Sequence, residues 1–221
     1  MPGADRSLSR RQVREADRRA IDEWGVPGVV LMENAGRGAA DVIQKFLAEL
    51  NARTVVVVAG RGNNGGDGFV IARHLRLRGV PCTVLLVSDW KSLRGDAALN
   101  YEILSHVGVQ VMQVAEDGVR HLAPNLREFD LIVDAVGGTG IVGPLRGHQA
   151  TVVEQINAAG RPVVAVDIPT GLDCDTGEAP GAAVKADLTV TFHARKIGFD
   201  EPGAAEYTGR VVVADIGIPL S

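Results

Sequence analysis

Aromatic residues are scarce in this 221-residue chain, at 4%, which removes the stacking platforms on which single-stranded nucleic acid is usually held. Clustered positive charge is missing too. With 23 Lys and Arg against 27 Asp and Glu, the formal charge is −4, whereas polynucleotide-binding surfaces normally carry a basic excess. The one basic stretch, Arg6 to Arg19, is interleaved with Asp5, Glu15 and Asp17. It reads as a solvated helix face, and the same acids count against a mitochondrial presequence. Apolar runs such as Val55 to Ala59 fall far short of the roughly 20 residues that span a bilayer, and no cleavable signal is visible. Two cysteines, Cys82 and Cys174, lack metal spacing and suggest neither a zinc site nor a disulfide framework. The expectation is a soluble cytoplasmic protein with reduced thiols, no nucleic-acid partner and no membrane partner.

Glycine is abundant instead: 27 residues of 221, against about 7% in average usage. Much of it falls in clusters between strands and helices, where it permits positive φ or close approach of backbone to a ligand. Ser9-Arg10-Arg11-Gln12 has the form of a capping box and predicts a first helix over about 10–24. Gly25 to Gly28 breaks it, and a second helix is expected from about Val30 to Leu50. Short β-branched runs then alternate with helical stretches. Strands are expected at Val55 to Ala59, Thr83 to Val87, Val109 to Val114, Leu131 to Asp134, Val163 to Asp167, Leu188 to Phe192 and Val211 to Ala214. Helices are expected over about 68–78, 96–106, 118–126 (a weaker one) and 148–159. Continuous apolar strands separated by helices indicate a parallel sheet covered on both faces. The predicted fold is α/β: a three-layer αβα, doubly wound, Rossmann-like arrangement with two extra N-terminal helices, forming one domain over 1–221. Val26, Val29, Val30 and Leu31 near the first turn could pack on the sheet or furnish a homodimer surface.

In such a sheet ligands bind beyond the carboxyl ends of the strands, where strand order reverses. With the common order 3-2-1-4-5, the segments Gly60 to Gly68, Asp134 to Gly140 and Asp167 to Gly171 would meet in one pocket. The first contains G-x-G-x-x-G, alone a weak dinucleotide signal. Asn63, Asn64 and Asp67 place amides and a carboxylate among its glycines, and a fixed negative charge there opposes a pyrophosphate unless a cation intervenes. No Lys-Ser or Lys-Thr follows, which excludes a P-loop. Asp67 could instead cap the helix behind the loop, and Asp134 a neighbouring turn, though for both the functional reading carries more weight. Oxygen donors from Asn64, Asp134 and Thr170 would suit a hard cation, whether potassium, sodium or magnesium, rather than zinc.

These residues resemble a known family. Gly62-Asn63-Asn64-Gly65-Gly66-Asp67-Gly68, Asp134-Ala135 with Gly138-Thr139-Gly140, and Val166-Asp167-Ile168-Pro169-Thr170-Gly171 together are similar to the NAD(P)H-hydrate epimerases of the YjeF N-terminal type. Leu31-Met32-Glu33-Asn34-Ala35-Gly36 and Thr191-Phe192 with Lys196-Ile197-Gly198 look like further signatures, and the similarity runs from about Ser9 to Pro219. Thr170 stands where serine is common, and Val136-Gly137 where bulkier residues are. The resemblance implies an isomerase that interconverts the R and S epimers of hydrated NADH and NADPH, which carry a hydroxyl at C6 of the nicotinamide ring. It implies a potassium ion held by Asn64, Asp134 and Thr170. Cofactor contacts carry over to Asn63, Asn64, Gly65, Gly66 and Asp67, to Gly138, Thr139, Gly140, Ile141, Val142, Gly143 and Pro144, and to Asp167. Lys196 is expected as a phosphate or substrate contact, or else as a surface lysine. Many bacterial relatives carry a following dehydratase domain, expected here on a separate chain or outside this sequence.

Epimerising a carbinolamine needs proton transfer to oxygen. Asp167, at a strand end within the family motif, is the expected acid/base and Asp67 the second choice. An NAD(P)-dependent oxidoreductase, with Asp89 placed for a ribose, is the alternative enzyme. A noncatalytic nucleotide-binding or scaffold protein is the alternative of another class.

Overall fold

In the computed structural model, which describes residues 6–219, the apolar runs become strands and the periodic stretches helices. The order is β1 (Ser7–Leu8), α1 (Arg10–Asp22), α2 (Gly28–Leu50), β2 (Val55–Ala59), α3 (Asn63–Leu77), β3 (Cys82–Leu86), α4 (Gly95–Ser105), β4 (Gln110–Gln113), α5 (Leu122–Leu126), β5 (Leu131–Ala135), α6 (Gly147–Ala158), β6 (Val163–Val166), β7 (Leu188–Phe192), β8 (Arg195–Lys196), α7 (Ala205–Thr208) and β9 (Arg210–Ala214). Seven strands form one sheet in the order β4-β3-β2-β5-β6-β7-β9, every neighbouring pair parallel. β1 pairs with β8 in a separate two-stranded parallel ladder, which the sequence reading did not anticipate.

The expected α/β fold with two helices in front is borne out. β2 shows why the sheet has two covered faces. Val55, Val57 and Ala59 enter the core beneath α2, α3 and α4, while Val56 and Val58 enter the core beneath α5 and α6. Alternation of side chains across a strand sends each set to its own layer, so an uninterrupted valine run is buried throughout. Ser9 and Gln12 form the capping box that starts α1. Leu31 is buried on α2 whereas Val30 is 42% exposed. Cys82 and Cys174 are free and buried.

Most boundaries differ from the sequence reading by a residue or two, and two helical stretches differ by more. The stretch near 118–126 divides into a 3₁₀ turn, Gly118–His121, and α5. More consequentially, α3 begins at Asn63 rather than Gly68, so the glycine-rich loop is largely a first helical turn. Among the described residues no helix is long and apolar enough to cross a membrane.

Candidate active site

The chain leaves β2 and β5 in opposite directions across the sheet, so the carboxyl ends of these adjacent strands border a crevice that no crossover covers. The segments after β2, β5 and β6 converge there on a cleft of about 1050 Å³, at the upper end of the range for small-molecule sites. Asn63, Asn64, Asp67, Gly138 and Asp167 line it together. The three distant motifs therefore share one site.

The floor is main chain packed on main chain. A Cβ on Gly65 would overlap the Gly60 carbonyl oxygen, one on Gly60 the Val136 carbonyl oxygen, and one on Gly68 would lie 2.7 Å from the Ala135 side chain. None of the glycines from Gly60 to Gly68 has a positive φ. At Gly60, Gly65 and Gly68 the role is thus close approach between β2, β5 and the start of α3, not a left-handed turn. Gly65 and Gly66, expected among the cofactor contacts, do not line the cleft, and a Cβ on Gly66 would meet the Met32 sulfur. Of the Leu31 to Gly36 signature, Leu31 and Ala35 line the cleft, while the other contacts are structural. Glu33 bridges to Arg73 and His74 of α3, Asn34 Nδ2 donates to the Ile216 carbonyl at 3.0 Å, and Gly36 lets α2 cross against Val70.

Asp67 is not a helix cap. Gly62 occupies that position without a side-chain bond, and Asp67 lies inside α3, 9% exposed. Burial, and then the neighbouring carboxylates of Asp167 and Asp17, push its pKa well above the usual carboxylate range.

Asp134 is fully buried at the end of β5. It accepts from the Thr170 backbone N–H at 2.8 Å, the Thr170 hydroxyl at 2.7 Å and the Val136 N–H at 3.2 Å. Burial raises its pKa to about 6, the Thr170 and Val136 donors opposing the rise. The Thr170 hydroxyl also accepts from the Gly137 N–H at 3.0 Å. Next along the chain, a Cβ on Gly138 would lie 3.3 Å from both Asn64 Oδ1 and Asp167 Oδ2. The buried Asn64 amide makes no hydrogen bond through either its oxygen or its nitrogen. A buried, unpaired amide oxygen is what a cation ligand looks like without its ion, so Asn64 could hold a hard cation, whereas Asp134 and Thr170, the other two expected ligands, are hydrogen-bonded to each other. Among the described residues no group of three His, Cys, Asp or Glu side chains could hold a metal.

Asp167 follows β6 in a left-handed conformation, φ 65°, rare for a residue with a side chain and a mark of functional sites. Its carboxylate is held from behind. Lys196 Nζ lies 2.9 Å from Oδ1, and the same ammonium donates to Thr191 Oγ1, the Phe192 carbonyl and the Ala194 carbonyl at 2.8, 3.0 and 3.1 Å. Lys196 is 0% exposed and does not line the cleft. This corrects the expectation of a phosphate or substrate contact, and equally that of a surface lysine: it is the buried counterion of Asp167. Of the stretch from Gly138 to Pro144, Gly138, Thr139, Gly140 and Ile141 line the cleft; Val142, Gly143 and Pro144 do not. Val142 is 75% exposed and Pro144 lies against Gly181.

Sequence reasoning missed the contribution of α1. Its basic stretch is not simply a solvated face. Arg10 is 9% exposed, donates to the Ile141 carbonyl and pairs with Asp173, both at 2.9 Å. Arg14 donates to the Thr139 carbonyl at 3.2 Å, and Val13, Arg14, Asp17 and Ile21 form one cleft wall. Spacing of i, i+4, i+8 carries this face, but only the fold says what it meets. His193, buried with φ 67° and an unpartnered Nε2, was missed as well; burial lowers its pKa. Because Arg10 ties α1 to two loops through charged hydrogen bonds, Arg10→Ala should cost about 1.5–3 kcal/mol. A drop of about 3–12 °C in the melting temperature is the expected calorimetric result.

Comparison with known proteins extends the pattern. The family profile described as YjeF-related protein N-terminus matches residues 28–198. The chain is 45% identical over 210 residues to the NAD(P)H-hydrate epimerase of Rhodopirellula baltica, covering 95% of this chain and 84% of that protein. It is 43% identical to the NAD(P)H-hydrate epimerase of Pirellula staleyi, over 97% of this chain and 93% of that one. A bifunctional NAD(P)H-hydrate repair enzyme of Moorella thermoacetica is 43% identical over 94% of this chain, which spans 40% of that protein. Among solved structures, the yeast protein YNL200c superimposes with a TM-score of 0.76 at 25% identity, over 94% of this chain and 87% of that one.

Proposed function

This chain belongs to the YjeF-related N-terminal family, and from that premise we propose that it interconverts the R and S epimers of hydrated NADH and NADPH at C6 of the nicotinamide ring. The activity, an isomerisation serving nicotinamide-nucleotide repair, follows from its similarity over nearly full length to NAD(P)H-hydrate epimerases. The observation that carries the chemistry is the meeting of Asn64, Asp67 and Asp167 on one dinucleotide-sized cleft.

The C6 carbon bears both a hydroxyl and the ring nitrogen. Loss of the hydroxyl as water, assisted by the nitrogen lone pair, needs one proton on the departing oxygen and leaves an iminium. Water then adds to either face of C6 and returns the proton, so the exchange is balanced and involves no oxidant. Asp167 is the group to move that proton: it lines the cleft, and Lys196 fixes its orientation from the opposite side. Thr139, Gly140 and Ile141 offer the backbone segment for the pyrophosphate, with Arg14 bonded beside them. Asn64, Asp134 and Thr170 would hold potassium, which when bound supplies a positive charge opposite the Asp134 carboxylate.

Chromatography of separated hydrated-NADH epimers tests the function directly. Each purified epimer should relax to the mixture faster with the protein present; no acceleration overturns the assignment. Replacing potassium by lithium at constant ionic strength should reduce the rate by about tenfold, equivalent to ~1.4 kcal/mol, and Asn64→Ala should abolish that dependence. Equal rates in both salts would remove the cation from the account.

A further inference from the structure

Asp17 belongs to none of the glycine-rich motifs, yet α1 delivers it to the same cleft as Asp67 of α3 and Asp167 after β6. Three carboxylates from three elements thus face one space. Lys196 of β8, the fully buried cation behind them, is in contact with Asp167. Asp67, nine-tenths buried, receives no hydrogen bond from any described residue and opens onto the cleft, so its polar end awaits a group from outside the protein. Three like charges beside one cation cannot all be ionised at low energetic cost.

We infer that Asp17 is a positioning residue for the epimerisation proposed above: together with Asp67 it keeps one proton beside Asp167, ready for the leaving C6 oxygen. The inference rests on that functional reading and adds a role for a helix outside the family motifs. Charged and titratable neighbours of Asp17 on this wall are Arg14 on its own helix, Asp67 on α3, Asp167 and Lys196 behind the floor, and His193 after β7. Burial first, and then the Asp167 charge, raise the Asp17 pKa to about 6, with Lys196 opposing. The proton is therefore held into the range where the enzyme would work. When the C6–O bond breaks, the oxygen leaves with this proton as water; the water that adds on the other face gives it back.

The test compares wild type, Asp17→Asn and Asp17→Glu by chromatographic epimerisation assays from pH 5 to 9, corrected for the uncatalysed interconversion. NADPH binding, followed by its fluorescence, serves as the check on fold. Asp17→Asn should lower kcat at least about tenfold with KM and NADPH affinity within twofold, and should erase an ionisation near pH 6 that the wild-type profile shows. Asp17→Glu should restore most of kcat. A wall residue with no part in proton transfer would give a different result: kcat within twofold at every pH, or losses of kcat and NADPH affinity together that Glu does not repair. Either result overturns the role of Asp17 while leaving the activity in place. A wild-type protein that accelerates no interconversion overturns the function and this inference with it.

Discussion

Asp167→Asn is expected to lower kcat for epimerisation by about 10²- to 10⁴-fold, the usual worth of a positioned acid or base, while NADPH still binds within a few-fold of the wild-type affinity. Asn is the informative replacement because Asp167 sits at φ 65°, a region that Asn enters more readily than most residues. Alanine would add backbone strain to the lost carboxylate and blur the reading. The amide can still accept from Thr191 and Phe192, which approach Oδ1 at 3.3 and 3.5 Å, but it cannot carry the proton. A variant that retains near-normal kcat and normal binding would take Asp167 out of the chemistry.

Lys196→Met should have the largest effect on stability. The ammonium has no exposure and serves Asp167, Thr191 and the carbonyls of Phe192 and Ala194. Removing it leaves a charge and two carbonyls without their shared donor, and breaking a buried pair from one side costs about 3–5 kcal/mol. Denaturant titration should show this as a lower midpoint with an unchanged slope. Activity should fall as well, because the carboxylate loses the contact that orients it. The double variant Lys196→Met with Asp167→Asn should recover part of the stability and none of the activity, separating the two roles. A single variant as stable as wild type would mean that the ion pair is not what holds this corner together.

The strands were legible because burial on both faces leaves an unbroken apolar run, as in Val55 to Ala59, and the order of the first five is the one common to doubly wound sheets. That the three motifs would share a cleft was legible from the same rule. The start of α3 was not. Four glycines in seven residues oppose a helix by propensity, yet at Gly60, Gly65 and Gly68 the packing of main chain against its neighbours admits no side chain, and tertiary fit overrides the preference. Lys196 could not be placed for a related reason: a lysine near a chain turn is ordinarily solvated, and only a carboxylate coming from another strand makes its burial sustainable. The wall formed by α1 escaped because amphipathic spacing tells which side of a helix is covered, not what covers it.

The glycine floor has a further consequence for how this enzyme can diversify. A surface made of backbone touching backbone offers no rotamer to adjust and no volume to trade, so single substitutions at Gly60 or Gly65 have no compensating partner nearby. Tuning toward one nucleotide or another must instead proceed along the side-chain margin that α1 contributes, where Arg14 and Ile21 can change without disturbing the scaffold below. Chains built on this architecture should therefore differ in taste at the rim while remaining alike at the base.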